Sequence, residues 1–254
     1  GPAPFSRIIE NDDFILFVLN TGWCCTKEQA NKPGKLAVEQ LEWFDKEAIN
    51  YRDTKKWKII LMHHHPFNYS YHIVCPDYST LEEGSNFLDI AGKNGFHLVI
   101  HGHRHHPRAQ TIWETGWAHP ITFICAGSFA VNALHRSGGS IPNTFHIIEL
   151  TDEVGVLELR NYQYSPAQGW IPFLENLPET PLDSVMMFGK LFDPNTIDKA
   201  IECLPDSVEL QWNTLDECLR FMPFSALNER IRTKFVATHN MIGQFPNSVV
   251  LLRK

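Results

Sequence analysis

No stretch of this chain approaches the roughly 20 consecutive apolar residues that a membrane-spanning helix requires, so no membrane partner is expected. No C-x-x-C pair occurs among its six cysteines, at positions 24, 25, 75, 125, 203 and 218. That absence argues against the common thiolate zinc motifs and thioredoxin-like redox chemistry. It leaves reduced thiols in a cytoplasmic protein, acting as small buried hydrophobes, as the expectation. Basic residues form no stripe: 22 Lys and Arg are scattered among 29 Asp and Glu, for a net charge of −7. A dedicated nucleic-acid binder is therefore disfavoured. Nucleic acid is not excluded as a substrate, because bound metal ions supply local positive charge of their own. The N-terminal stretch is not a basic segment followed by an apolar one, so no signal peptide is expected in it. Gly1-Pro2 reads as a protease-cleavage scar or as the point where the sequence happens to start.

What is present is a packed globular chain. With 43% hydrophobic residues and 17 Phe in 254 positions, it can build one large core plus a small appendage. Phe14–Leu19 is a continuous apolar run, the mark of a strand buried on both faces. Ala37, Leu41, Phe44 and Ala48 form one stripe of a helix over 35–51. Trp57–Met62 is the next strand, ended by Pro66. A helix over 82–93 closes at Asn94-Gly95, and a strand follows over 96–101. Apolar strands alternating with helices predict βαβ units and a largely parallel sheet. After residue 108, short strands at 110–114, 120–125, 144–150 and 156–162 follow without helices, which predicts antiparallel pairing. Pro166, Gly169, Pro172, Pro178 and Pro181 read as a linker. Beyond it, Thr196–Cys203 and Leu215–Phe221 look helical, Val249–Leu252 looks like a strand, and His239 reads as a loop residue.

Two of the predicted strands discharge histidines at their C-terminal ends. One runs Ile59-Ile-Leu-Met-His-His-His-Pro66, the other Leu98-Val-Ile-His-Gly-His-Arg-His105. Neutral imidazole is the commonest metal ligand near neutral pH. In open α/β sheets, ligands sit at the carboxyl ends of strands, so a metal site at one sheet edge is expected. Gly102 is expected to let the chain turn sharply at its strand end. His63 and His65, next to His64, are expected to point to the other side, and His101 and His106 are given the same reading. Cys75 is a further thiol near this edge.

Gly102-His103-Arg104-His105 matches the G-H-x-H signature of the calcineurin-like metallophosphoesterases, and His64-His65-Pro66 matches their H-x-P strand end. Asn20-Thr21, Gln40-Leu41-Glu42-Trp43-Phe44 and Ala126-Gly127-Ser128 resemble further motifs of that family, in the same order. The family's D-x-H, G-D-x-x-D and G-N-H-D/E motifs do not occur in this chain. The resemblance is thus to the C-terminal half of the metallophosphoesterase domain, taken as residues 1–164, with a linker and accessory region over 165–254. A fragment, a first half supplied by another chain, and a degenerate relative would each produce this pattern. The intact ligand motifs favour the fragment.

The resemblance implies an α/β fold, a two-sheet sandwich flanked by helices and partial in this chain, with a mixed α/β extension. It implies a metal-dependent phosphohydrolase acting on a phosphodiester or phosphomonoester, with a phosphorylated small molecule or nucleotide as substrate. It implies two divalent metal ions, manganese, iron or zinc. His64 and His103 would bind one ion and His105 the other, and these three are the catalytic metal ligands. Asn20 and Arg104 are candidate substrate contacts. Tyr69, Tyr71 and His72 lie in an aromatic loop that could stack on a base. The competing readings are a non-catalytic interaction or regulatory module and a single structural zinc on His64, His103 and His105.

Overall fold

The computed structural model describes residues 6–23, 33–67, 80–103, 105–130, 141–173, 182–189, 202, 207–211, 235–237 and 248–253. Arg104, Tyr69, Tyr71, His72, Cys75, His239 and the segment 215–221 lie outside them, as does all of 196–203 but residue 202. The chain divides into two compact units, Gly1–Gly189 and Lys190–Lys254. No helix among the described residues is long and apolar enough to cross a membrane.

The first unit starts with β1 (Arg7–Glu10) and β2 (Phe14–Val18), followed by α1 (Val38–Asn50) and β3 (Trp57–Leu61). Next come α2 (Gly84–Lys93), β4 (Leu98–His101), β5 (Arg108–Ile112) and β6 (Ile121–Cys125). These six strands form one sheet in the order β1-β2-β3-β4-β6-β5. The apolar strands β2, β3, β4 and β6 pair in parallel, and the edges β1 and β5 run antiparallel. Edge strand β1 carries only a weak sequence signal. It is set by a turn in which Asn11 Oδ1 accepts the N–H groups of Asp13 and Phe14, at 2.9 and 2.8 Å, a local bond that Asn favours in turns.

A second sheet holds β7 (Thr144–Leu150), β8 (Leu157–Ser165), β9 (Gly169–Pro172) and β10 (Val185–Phe188). All its pairings are antiparallel, with β8 bonded to the other three. The two sheets share one core. Trp57, Ile59, Leu98 and Ile124 from the first pack with Leu157, Leu159 and Phe188 from the second. The opposite face of the first sheet buries Ile15, Phe17, Ile60, Val99 and Phe123 against Phe44 and Ala48 of α1 and Phe87 and Ala91 of α2. The first unit is therefore an α/β two-sheet sandwich with helices on one outer face. In the second unit β11 (Ser207–Gln211) and β12 (Phe235–Ala237) flank a central β13 (Ser248–Arg253).

The helix-side core is aromatic. Phe17 is fully buried, and the rings of Phe96, Phe44, Tyr51 and Trp43 stand 5.1, 5.6, 5.9 and 6.1 Å from it, none of them parallel to it. Tilted ring pairs of this kind add to the stabilisation from burial alone. The buried stripe of α1 is Gln40, Phe44 and Ala48. Leu41 is only partly buried. Gln40 takes a core position because its amide donates to Ser6 Oγ, which offsets the cost of burying it. Helix α2 ends as expected. Gly95 has a φ of +67°, and the Phe96 N–H donates to the Ala91 carbonyl at 3.0 Å, the closing bond of a glycine-terminated helix. Asn94 Oδ1 then accepts two Arg52 guanidinium bonds, at 3.0 and 2.8 Å, and so ties the ends of the two helices together.

Buried neutral imidazole makes this fold sensitive to acid. His97 accepts the Lys58 backbone N–H on Nδ1 at 2.9 Å and stacks on His119 at 4.5 Å. Burial, then the His119 and Lys58 charges, hold its pKa down to about 3 from 6.5. The unfolded chain takes up this proton near pH 6.5 and the folded chain only near pH 3, so stability is greatest above the first value and falls between the two. The urea midpoint is expected to be flat above pH 6.5 and to fall below it. His97→Asn, which keeps an acceptor for Lys58, should reduce the slope by about one proton. A slope identical to that of the unaltered chain would show that His97 is not held neutral by the fold.

Candidate metal centre

The parallel pairing of β3 and β4 sets Leu61 opposite Ile100, so both chains leave the sheet at one edge. The pairing continues beyond the strands: the Met62 N–H donates to the Ile100 carbonyl at 3.0 Å and the Gly102 N–H to the His63 carbonyl at 3.1 Å. His63, His64 and His65 are thereby laid beside Gly102, His103 and His105. The His64 and His103 rings lie 4.6 Å apart and 34° from parallel. His63 sits against both, at 5.0 Å from His64 and 4.7 Å from His103.

Thr21 fixes His64. Its hydroxyl accepts the His63 and His64 backbone N–H groups at 3.3 and 3.2 Å and bonds His64 Nδ1 at 2.9 Å. This contact occupies Nδ1 and leaves Nε2 as the ring nitrogen that would face an ion, the kind of outer hydrogen bond that usually fixes the orientation of a ligating imidazole. Gly34 lies flat against the same ring, and a Cβ there would fall within it. His64 is almost fully buried. Burial, with the charges of His103 and then His63, holds its pKa down to about 4, so at neutral pH it is in the uncharged form that binds metals.

His63 was expected to point away and does not. Its Nε2 lies 2.7 Å from His103 Nδ1, so His103 would present Nε2 to an ion while donating Nδ1–H to His63. Packing desolvates the His63 ring, and this effect, followed by the His105 charge, holds its pKa below the usual imidazole value. Pairing and the alternation of burial run on past Leu61, with His63 exposed and His64 buried. Periodicity does not place His63 in the group because it carries no information on where the His103 ring, 40 residues later, will lie.

His103 and His105 have φ angles of +78° and +58°, and they are the only non-glycine residues with positive φ among those described. Histidine tolerates this region better than most side chains, but two in three residues still mark stored strain of the kind found at functional sites. Gly102, expected to carry the turn, has no positive φ and open space around its missing Cβ. The bend falls on the histidines. His105 Nδ1 is buried and has no hydrogen-bond partner among the described residues, an orphaned nitrogen that a metal ion would satisfy. Asn20 Oδ1 accepts the Gly22 N–H at 3.2 Å, and Gly22 borders both Asn20 and the His64 ring. Asn20 therefore stands at the margin of the cluster.

A tighter donor set adjoins this one. His65, His101 and Cys125 are buried and their donor atoms all lie within 4.8 Å of one another. It is the one set of three that close among the described residues. In the sequence these residues read as packing groups, because 24 positions separate Cys125 from His101 and only the parallel register sets them side by side.

No protein-family model and no curated protein matches the chain. Among solved structures, a purple acid phosphatase isolated from yellow lupin (Lupinus luteus) seeds superposes with a TM-score of 0.41 at 15% identity, over 65% of this chain and 31% of that one. The chain thus spans about a third of the length of that structure. This is a distant likeness of fold, and the chemistry of the site rests on the residues described above.

Thr21→Val keeps the shape of the side chain and removes the hydroxyl that steadies His64. Metal affinity, read by competition with a chromogenic chelator, is expected to fall roughly 10- to 100-fold, the usual effect of losing an outer hydrogen bond to a ligand. Gly34→Ala should act in the same direction by displacing the ring. Equal affinities for Thr21→Val and the unaltered chain would remove His64 from the ligand set.

Proposed function

We propose that this chain is part of a metal-dependent phosphoesterase that hydrolyses a phosphodiester or phosphomonoester, with nucleotides among the candidate substrates. The observation that carries this reading is the pair of strained histidines, His103 and His105, beside the buried and oriented His64 at the C-terminal edge of parallel strands. The ordered motifs that resemble the calcineurin-like metallophosphoesterases support it. A cytoplasmic setting accords with cysteines that lack disulfide spacing.

In this reading His64 and His103 hold one divalent ion and His105 the other, the ions being manganese, iron or zinc. Bound there, a metal pair would polarise the phosphate and lower the pKa of a water that attacks it. The chain's own residues then have separate tasks. Thr21 and His63 engage Nδ1 of His64 and His103 and so orient the two rings with Nε2 free. Burial around His64 excludes water and keeps the ring uncharged. Asn20 and Arg104 are proposed to contact the substrate. A second reading, a non-catalytic interaction module, is favoured by one observation: D-x-H, G-D-x-x-D and G-N-H-D/E do not occur in the chain. Without those carboxylates the ions would lack most of their charge compensation and a bridging ligand.

Turnover of bis-p-nitrophenyl phosphate with manganese separates the two readings. In protein carrying the whole domain, activity should vanish on chelation, and His103→Ala should lower it by orders of magnitude without unfolding. The 254-residue chain alone should be a poor catalyst. Full activity of His103→Ala with unchanged metal content would refute the assignment.

A further inference from the structure

We propose that His65, His101 and Cys125 form a separate mononuclear site for a thiophilic transition-metal ion of the zinc class, on the helix-layer side of the same strand ends. His101 and Cys125 are direct partners across the parallel β4–β6 pair, so their side chains leave the sheet on the same face. That face is the one buried under the helices, because Val99 and Phe123, two residues earlier on each strand, belong to the helix-side core. His65 comes from the segment just after β3, which ends at Leu61. Its backbone is fixed there by a bridge to Thr80 and by a 2.8 Å bond from the Leu81 N–H to its carbonyl. Its ring meets the His101 ring edge to face at 4.8 Å.

The chemistry of this donor set differs from that of the His63, His64, His103 and His105 group. One thiolate and two imidazoles suit borderline and soft ions such as zinc or cuprous copper, whereas phosphate-handling sites favour carboxylate and water. Tetrahedral binding with metal–sulfur bonds near 2.3 Å and metal–nitrogen bonds near 2.1 Å needs donors about 3.5 Å apart. The donors here lie within 4.8 Å, so side-chain rotations of about 1 Å would close the set. Binding converts the Cys125 thiol to a thiolate, and its proton leaves to solvent. The Gly102 and Ala126 carbonyl oxygens lie 3.8 and 3.9 Å from the sulfur, near enough for one of them to fill the fourth position after a small shift. The three side chains are almost fully excluded from solvent, at 1%, 2% and 0% exposure. A closed site of this kind serves structure rather than turnover. It would pin three adjacent strand ends directly beneath the loops that carry the first histidine group.

The test uses the full chain with His64→Ala and His103→Ala, which disables the first group, and cobalt(II) as the probe. One equivalent is expected to produce a thiolate-to-cobalt charge-transfer band in the near ultraviolet. The band should vanish in Cys125→Ser, and His101→Gln should weaken cobalt binding at least tenfold. Zinc K-edge X-ray absorption on the same protein with Cys125 intact should show one sulfur near 2.3 Å. This measurement decides the matter even if Cys125→Ser fails to fold. No charge-transfer band, a band that survives Cys125→Ser, or a shell of nitrogen and oxygen only would each overturn the proposal. None of these results would bear on phosphoesterase activity, which depends on the other histidines.

Discussion

The parallel register of β3, β4 and β6 is the constraint on which the rest depends. Leu61 faces Ile100, Ile100 faces Ile124, and His101 faces Cys125. Side chains alternate along a strand, so a slip of one residue in any of these pairs would turn every side chain of that strand to the other face. The register is held from both sides. Ile60, Val99 and Phe123 must face the helices, and Ile59, Leu98 and Ile124 must face the second sheet. With both faces buried there is no second arrangement of comparable energy. The strand ends are aligned because the cores are, and the histidines follow.

This scaffold tolerates features that would otherwise be costly. Two left-handed histidines within three residues cost on the order of 1–3 kcal/mol each. Burying His64 without charge gives up stability in acid. Both costs fall at the end of β4 and in the loop after β3, on a sheet whose helix-side core is aromatic. Phe17, Phe44, Phe87, Phe96 and Phe123 are all essentially excluded from water. Replacing any one of them with Ala would cost about 3–5 kcal/mol, enough to consume much of a domain's net stability. The rigidity that holds the imidazoles is therefore supplied by residues that touch no ion.

The two groups of histidines divide by face rather than by sequence. His65 and His101 turn toward the helix layer, with Cys125. His63, His64 and His103 gather at the open edge, held by Thr21 and by the close approach of Gly34. Consecutive residues 63, 64 and 65 thus serve different neighbourhoods. Their separation depends on Thr21, which accepts two successive backbone N–H groups, from His63 and His64, and so fixes the path of the chain as it leaves β3.

Much of the architecture could be read from the sequence. The apolar runs at 14–19, 57–62, 96–101 and 120–125, the stop at Asn94-Gly95 and the switch to antiparallel strands after residue 108 all reflect local physics, either burial on two faces or a glycine conformation. The histidine-rich strand ends and the G-H-x-H pattern were legible for the same reason. Other features depended on contacts between residues far apart in the sequence, which no local pattern encodes. Gln40 fills a core position because Ser6 is there to bond it. The bend after β4 falls on His103 and His105 and leaves Gly102 unstrained, because backbone strain is set by where the side chains must reach. His63 joins His103 because the continued pairing of the two strand ends brings the later histidine to it. Cys125 meets His101 and His65 only because three strands, separated by a helix and a hairpin, close into one parallel sheet. Sequence by itself determined the main apolar strands and which residues carry metal-binding chemistry, since both follow from the side chains themselves; β1, and β9 within the segment read as a linker, are set by pairing with neighbouring strands. The tertiary structure alone decided which of those residues share a volume, because proximity follows from strand register and two-sided burial.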